Sequence, residues 1–242
     1  MLELVGLACG YGEMTVVHDL DLRVEAGQTV AMVGANGAGK TSTLMAIAGH
    51  VRQHRGEIRL DGQRIDALSP MQRVALGVGW VPEGRRLFPD LSVRENLVVG
   101  GYVRARSHEA ASLERVVDLF PRVGERLNQR AGSLSGGEQQ MVALGRALMA
   151  EPRLLLVDEL SLGLMPKAVG QFYAALARLK ASGLAILLVE QNTGHALRAA
   201  DAVVVLESGA AVWRGTAEAA RAATGMLDAY LGLARAQAET AG

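Results

Sequence analysis

Short apolar runs alternating with helix-periodic segments predict an α/β fold: a mainly parallel sheet, an N-terminal antiparallel β subdomain and an inserted helical subdomain. Three observations carry the prediction. The runs at 29–33, 78–81, 154–157 and 184–189 are short and apolar throughout, as strands buried on both faces are. Helical patterns follow at 40–49, 167–181 and 195–200, so strand and helix alternate along the chain. Between residues 84 and 130 strand signals vanish and only helical periodicity remains.

The elements follow in order. Residues 2–8 and 19–24 alternate well enough for a two-stranded start. The strand at 29–33 runs into a glycine-rich segment, and the helix beginning near Lys40 stops at Gly49. Residues 57–60, followed by Asp61-Gly62, resemble a hairpin arm and its tight turn. Ser69-Pro70-Met71-Gln72 offers a capping box with proline at the first helical position. The strand at 78–81 ends at Pro82. Beyond it, Ser92-Val93-Arg94-Glu95 forms a second capping box, and Leu113, Val116, Val117 and Phe120 recur at helical spacing. From Arg85 to Arg130 nine arginines face six carboxylates, which suits a solvated helical insert. A helix over 136–149 precedes the strand at 154–157, and the later βα units end in a hairpin at 203–206 and 210–213. Residues 1–83 and 131–215 are therefore expected to form the core with its β subdomain, 84–130 the helical insert, and 216–242 a closing helix with a frayed tail.

Composition narrows the function classes. With 242 residues and 50% hydrophobic content, the chain can bury one large core, or a core with a small satellite. Basic and acidic residues balance at 25 each and aromatics reach only 4%, which argues against a nucleic-acid surface. The one cysteine, Cys9, excludes an intrachain disulfide and reads as a small buried strand residue rather than a nucleophile. No apolar run approaches the roughly 18 residues needed to cross a bilayer. The amino terminus lacks a basic leader region, so a cytosolic chain is expected, with any membrane role supplied by a partner.

Three segments carry chemistry. Gly34-Ala35-Asn36-Gly37-Ala38-Gly39-Lys40-Thr41 matches G-x-x-x-x-G-K-[ST] between a predicted strand and a predicted helix. Its glycines let backbone N–H groups converge on a phosphate oxygen, and the helix amino terminus adds its positive end. Lys40 can reach the β- and γ-phosphates, Thr41 can ligate Mg²⁺ and Ser42 can donate to the α-phosphate. The bland alternative is a tight strand–helix turn with an incidental lysine. Lysine is otherwise confined to Lys167 and Lys180, so one inside a glycine loop stands out.

Leu154-Leu155-Leu156-Val157 ends in Asp158-Glu159, placing carboxylates at the carboxyl edge of the sheet, where ligands of open α/β sheets bind. Strands often end at acidic turns, but beside a phosphate loop Asp158 would hold Mg²⁺ and Glu159 would polarise an attacking water. Leu134-Ser135-Gly136-Gly137-Glu138 opens a helix with adjacent glycines and a hydroxyl, a second anion site unless it is only a serine-capped start. Two anion-gripping helix ends with one glycine loop suggest a symmetric pairing, each nucleotide enclosed by one chain's loop and its partner's second site.

From about residue 2 to residue 213 the chain resembles the ATP-binding subunits of ABC transporters, which have a P-loop NTPase core. The resemblance implies ATP and Mg²⁺ as cofactors, with Tyr11 stacking on adenine and Val16 as apolar support. Tyr11 also fits an ordinary turn. It further implies that Gly34, Asn36, Gly37, Ala38, Gly39, Lys40, Thr41 and Ser42 grip one triphosphate, with Ser135, Gly136, Gly137 and Glu138 capping the partner's. Implied partners are a second ATP-binding subunit bound head to tail, transmembrane permease subunits and, indirectly, an external substrate-binding protein. Val-Pro-Glu-Gly-Arg-Arg-Leu-Phe-Pro-Asp-Leu-Ser-Val-Arg-Glu-Asn-Leu at 81–97, Asp-Glu-Leu-Ser-Leu-Gly-Leu-Met-Pro at 158–166 and Leu-Val-Glu-Gln-Asn at 188–192 look like the second ATP-binding subunit of branched-chain amino-acid importers.

Departures from the family pattern stand out. Glu83 replaces the usual glutamine beside Mg²⁺, where it can still ligate the metal but adds repulsion against the γ-phosphate. Gln191 replaces the switch histidine, able to donate one hydrogen bond but never to become cationic. Leu160 replaces a proline, and Met165 stands where many relatives carry an aspartate that touches the opposite subunit. Leu87, Phe88 and Tyr102 are candidates for a permease-docking groove, with core packing as the alternative. Two other functions are weighed: a hydrolysis-poor partner subunit, and a soluble ABC ATPase acting on nucleic acid.

Overall fold

The computed structural model describes residues 1–161 and 163–222. Ten strands form two sheets. The first joins β1 (Leu2–Tyr11), β2 (Met14–Val24), β4 (Arg52–Leu60) and β5 (Gln63–Arg64) in the antiparallel order β2-β1-β4-β5. The second joins β3 (Thr29–Gly34), β6 (Val78–Val81), β7 (Leu154–Asp158), β8 (Ala185–Val189), β9 (Ala202–Glu207) and β10 (Ala210–Thr216) in the order β10-β9-β3-β8-β7-β6. Every neighbour pair in this second sheet is parallel except the β9–β10 hairpin at its edge.

Helices cover both faces of the parallel sheet. They are α1 (Lys40–Ala48), α2 (Pro70–Ala75), α3 (Val93–Gly100), α4 (Glu109–Leu119), α5 (Pro121–Gly124), α6 (Gly136–Leu148), α7 (Pro166–Ala181), α8 (Thr193–Ala199) and α9 (Ala217–Ala222). The period of two along β7 divides the core. Leu154 and Leu156 pack with α1 and the antiparallel sheet, whereas Leu155 and Val157 pack with Met141, Leu144 and Phe172 of α6 and α7. Because β3, β7 and β8 are buried at every position, their continuous Val/Leu/Ile character is required on both faces. A smaller cluster under α8 and α9 joins Val33, Val203 and Val205 to Ala196 and Ala220. Among the described residues, no helix is long and apolar enough to cross a membrane.

Between β6 and β7 the described residues form helices and turns, with one isolated bridge from Ser92 to Arg130. Both expected capping boxes close α2 and α3, at Ser69 with Gln72 and at Ser92 with Glu95. The antiparallel sheet is larger than the two-stranded start read from the sequence. β4 begins at Arg52, pairs along β1 and only then turns at Asp61-Gly62 into β5. Its first half, Arg52-Gln53-His54-Arg55-Gly56, buries no apolar side chain, so alternation could not announce it. The expected closing helix begins at Ala217; residues 223–242, including the expected frayed tail, lie outside the described residues.

Arg73 of α2 fixes α1 to the rest of the core. Its buried guanidinium donates to Ala46 O at 2.7 Å and Ile47 O at 2.9 Å, carbonyls at the end of α1, and to Asp66 O and Leu68 O at 2.8 and 3.0 Å. Truncation would remove all four bonds, leaving Ala46 O only the Gly49 N–H at 3.1 Å. Arg73→Ala is expected to destabilise the fold by about 3 kcal/mol, with Arg73→Lys recovering less than half. Urea denaturation followed by circular dichroism measures both.

Candidate functional site

The site begins where β3 runs out. At Gly34 an added Cβ would lie 2.3 Å from Leu206 O, so only glycine fits between β3 and β9. The chain then turns through Ala35, Asn36, Gly37 and Ala38 to Gly39, whose φ of 99° makes it the N-cap of α1. Gly39 has no capping side chain, so the first-turn N–H groups of α1 remain available to an anion. Lys40 folds back over this turn, only 4% exposed, and donates from Nζ to Gly34 O at 2.9 Å and Ala35 O at 3.0 Å. Ser42 is buried below it.

The acids arrive from β7 and β6. Thr41 donates from Oγ1 to Asp158 Oδ1 at 3.2 Å, and Lys40 Nζ lies 3.8 Å from Glu159 Oε1. Asp158 is 1% exposed, and its carboxyl is pushed up to about 6. Burial is the main cause; Glu159 and Glu83 add repulsion, while Thr41 and Lys40 oppose it. Burial also raises Glu159, against the pull of Lys40 and with further repulsion from Glu83 and Glu190. Val81 pairs with Val157, so exposed Glu83 and Glu159 leave adjacent strand ends at equivalent positions. Glu159 sits at φ 45°, and its N–H donates to Val189 O at 3.0 Å. From the next strand, Gln191 Nε2 donates to Asn36 Oδ1 in the glycine turn.

Glu83 opens a left-handed run: Gly84, Arg85 and Arg86 have φ values of 76°, 64° and 48°. Helix α6 holds this turn. Arg146 donates to Arg86 O at 2.7 Å and Arg85 O at 3.0 Å, and Arg85 donates to Gln139 Oε1 at 2.9 Å. The amino end of α6 closes on itself: Ser135 Oγ donates to Glu138 Oε2 at 2.8 Å, and Arg126 pairs with Glu138 at 2.9 Å. Gly136 abuts Arg85, and Gly137 packs so tightly that an added Cβ would meet Ala168 Cβ at 2.7 Å.

The expected residues thus separate into groups. Gly34, Asn36, Gly37, Ala38, Gly39, Lys40, Thr41 and Ser42 share one edge of the sheet with Asp158, Glu159 and Gln191, and Glu83 lies beside them. Tyr11 sits at the β1–β2 hairpin, 48% exposed, its hydroxyl 3.6 Å from Met45 Sδ on α1. Val16 borders the turn, with its carbonyl 3.5 Å from a Cβ built on Gly39. Ser135 is exposed elsewhere. Among the described residues, no hydrogen bond or ion pair links Ser135, Gly136, Gly137 or Glu138 to the glycine turn. Of the docking candidates, Leu87 is half-buried against the α3–α6 core, whereas Phe88 and Tyr102 are 48% and 64% exposed.

Sequence reasoning missed two features. Arg146, in the last turn of α6, gave no sign that it would hold the turn after Glu83. Glu190 ends the apolar run Ala185-Ile186-Leu187-Leu188-Val189 just as Asp158 ends its own strand, and that shared ending was the available signal.

Comparison with known proteins places this arrangement. The ABC transporter family profile matches residues 17–161. The chain is 42% identical to the high-affinity branched-chain amino acid transport ATP-binding protein BraG of Pseudomonas aeruginosa, over 96% of this chain and 100% of that one. It is 35% identical to the probable branched-chain amino acid transport ATP-binding protein LivF of Archaeoglobus fulgidus, over 90% and 92%. A solved ATP-binding subunit of an ABC transporter superposes with a TM-score of 0.81 at 30% identity, covering 93% of each chain. A dimeric bacterial ABC transporter cassette shares the fold with a TM-score of 0.79 at 21% identity, over 90% of this chain and 99% of its own. The chain therefore belongs to the ABC transporter family as an ATP-binding, ATP-hydrolysing subunit.

Proposed function

We propose that this chain powers an importer of branched-chain or other hydrophobic amino acids, paired head to tail with a second, different ATP-binding subunit at the cytoplasmic face of the membrane. The pair would drive transmembrane permease subunits fed by an external substrate-binding protein. Substrate class and partner follow from likeness to BraG and LivF, and to BraF of Pseudomonas aeruginosa, a branched-chain amino acid transport ATP-binding protein 32% identical over 96% of this chain. The observation that carries the paired reading is the separation of two anion-binding ends. Among the described residues no hydrogen bond or ion pair joins the turn with Lys40 to the exposed start of α6 at Ser135, so each is half of a site that a neighbour completes.

In this reading Lys40 leaves Gly34 O and Ala35 O for the β- and γ-phosphates, and the freed N–H groups of the turn take the remaining oxygens. Thr41 and Asp158, with Glu83 nearby, offer hard oxygens suited to Mg²⁺. Among the described residues no cluster of three or more His, Cys, Asp or Glu could hold a metal ion unaided, so most ligands must come from phosphate and water. Bound Mg²⁺ neutralises charge on the transferring phosphoryl group. Glu159, with its raised proton affinity, accepts the proton of the attacking water. Gln191 releases Asn36 to donate to the γ-phosphate. Tyr11 and Val16 flank the adenine. Ser135, Gly136 and Gly137 cap the partner's γ-phosphate, while Glu138 aims the Ser135 hydroxyl.

A weaker site is the second reading, favoured by Glu83, whose charge raises both Asp158 and Glu159. Glu159→Gln in this subunit alone separates the two. The motor reading predicts a loss of turnover of about 10²–10⁴-fold with ATP still bound, read as phosphate release from the assembled transporter; near-full turnover favours the weak site. Lys40→Ala should weaken ATP binding by about 30-fold, roughly 2 kcal/mol, measured by calorimetric titration. Phe88 and Tyr102, exposed with Val99, form the candidate permease face. Phe88→Ala should leave the ATPase of the free chain unchanged while reducing its recovery with the permease from solubilised membranes.

A further inference from the structure

Glu190 is a buried carboxylate that no role above uses. It is 1% exposed and immediately precedes Gln191. Its Oε1 accepts from Ser161 N at 3.3 Å and from the Tyr173 hydroxyl at 2.7 Å, and its Oε2 accepts from Ser161 Oγ at 2.8 Å. Its own N–H donates to Met32 O of β3 at 3.3 Å, just before the glycine turn. Among the described residues no basic side chain forms an ion pair with it. A carboxyl group removed from water without an ion-pair partner among the described residues is a costly way to fasten a fold.

Its two side-chain partners and its place in the chain show what it fastens. Ser161 lies two residues beyond Glu159, Tyr173 lies in α7, and Gln191 follows Glu190 directly. Glu159 is held on its other side by its N–H on Val189 O, at φ 45°. Leu160, between these anchors, lacks the ring constraint that a proline would impose. It is buried in the core instead. The segment carrying Glu159 therefore depends on hydrogen bonds at both ends to keep one conformation.

We propose that Glu190 is a positioning residue: a latch through Ser161 and Tyr173 that fixes Glu159 and Gln191 against the glycine turn in place of the missing proline. The inference rests on the reading of Glu159 as the catalytic base. A misplacement of about 1 Å at a reacting group can cost on the order of 100-fold in rate, so the latch acts on turnover rather than on nucleotide affinity.

The test is steady-state ATPase of the full-length chain in its assembled transporter, with the melting temperature followed in parallel. Glu190→Ala should lower kcat by about 10- to 100-fold while KM for ATP stays within about twofold. Glu190→Gln should retain about a third or more of the rate. Its Oε1 still accepts from Ser161 N and Tyr173, and its amide can donate to Ser161 Oγ once that hydroxyl turns. Because the latch acts through Glu159 and Gln191, adding Glu190→Ala to Glu159→Gln should cost clearly less than Glu190→Ala costs alone.

Three results would overturn the proposal: full turnover in folded Glu190→Ala, a multiplicative loss in the double variant, or equal damage from Gln and Ala. Should Glu190→Ala not fold, Ser161→Ala and Tyr173→Phe each remove one contact. Each should lower kcat several-fold, and wild-type rates in both would end the latch. An active Glu159→Gln sinks the base assignment and the latch together, whereas an inactive Glu159→Gln beside a fully active Glu190→Ala sinks the latch alone.

Discussion

Everything at the site depends on one lysine buried among backbone carbonyls and carboxylates. Lys40 Nζ satisfies Gly34 O and Ala35 O while lying 3.8 Å from Glu159. A buried ammonium needs such partners, and the strand-end acids need its charge. The arrangement works because β3, β7 and β8 deliver their ends to one edge of the sheet. In the proposed function a triphosphate would replace these contacts of Lys40, exchanging partners with the protein instead of prying open a packed core.

The turn after Glu83 couples this edge to the start of α6. Arg146 and Arg85 cross-link the two through Arg85 O, Arg86 O and Gln139. Arg85 and Arg86 at positive φ cost backbone energy, and the Arg146 guanidinium contacts to their carbonyls offset part of it. Displacement of Glu83 by a ligand would thus be transmitted to Ser135, Gly136 and Gly137 as movement of one connected body. The exposed Phe88 belongs to the same body, with its ring 5.9 Å from the Arg146 guanidinium carbon.

The departures from the family pattern acquire physical content. Glu83 adds repulsion where burial already raises Asp158. Gln191 occupies its place through a neutral hydrogen bond to Asn36, a contact that needs no proton. Leu160 exchanges a ring constraint for a buried apolar side chain, leaving hydrogen bonds on either side to define the conformation of Glu159.

Much of this was legible in the sequence because it rests on local rules. The continuous apolar runs at 154–157 and 184–189, the capping boxes at Ser69 and Ser92, and the glycine spacing before Lys40 each encode their own conformation. Likeness to a family supplied the nucleotide, while elementary chemistry already pointed to that turn as a place for phosphate. Other features required the folded chain. The first half of β4 is polar and becomes a strand only because β1 offers unpaired backbone groups beside it. Arg146 lies 60 residues from Arg86 and Glu190 lies 29 from Ser161, and no periodicity reports side chains meeting at such separations. Strand identity is set by patterns within a few residues, whereas the partners of a buried charge are set by which strand ends the sheet order brings together.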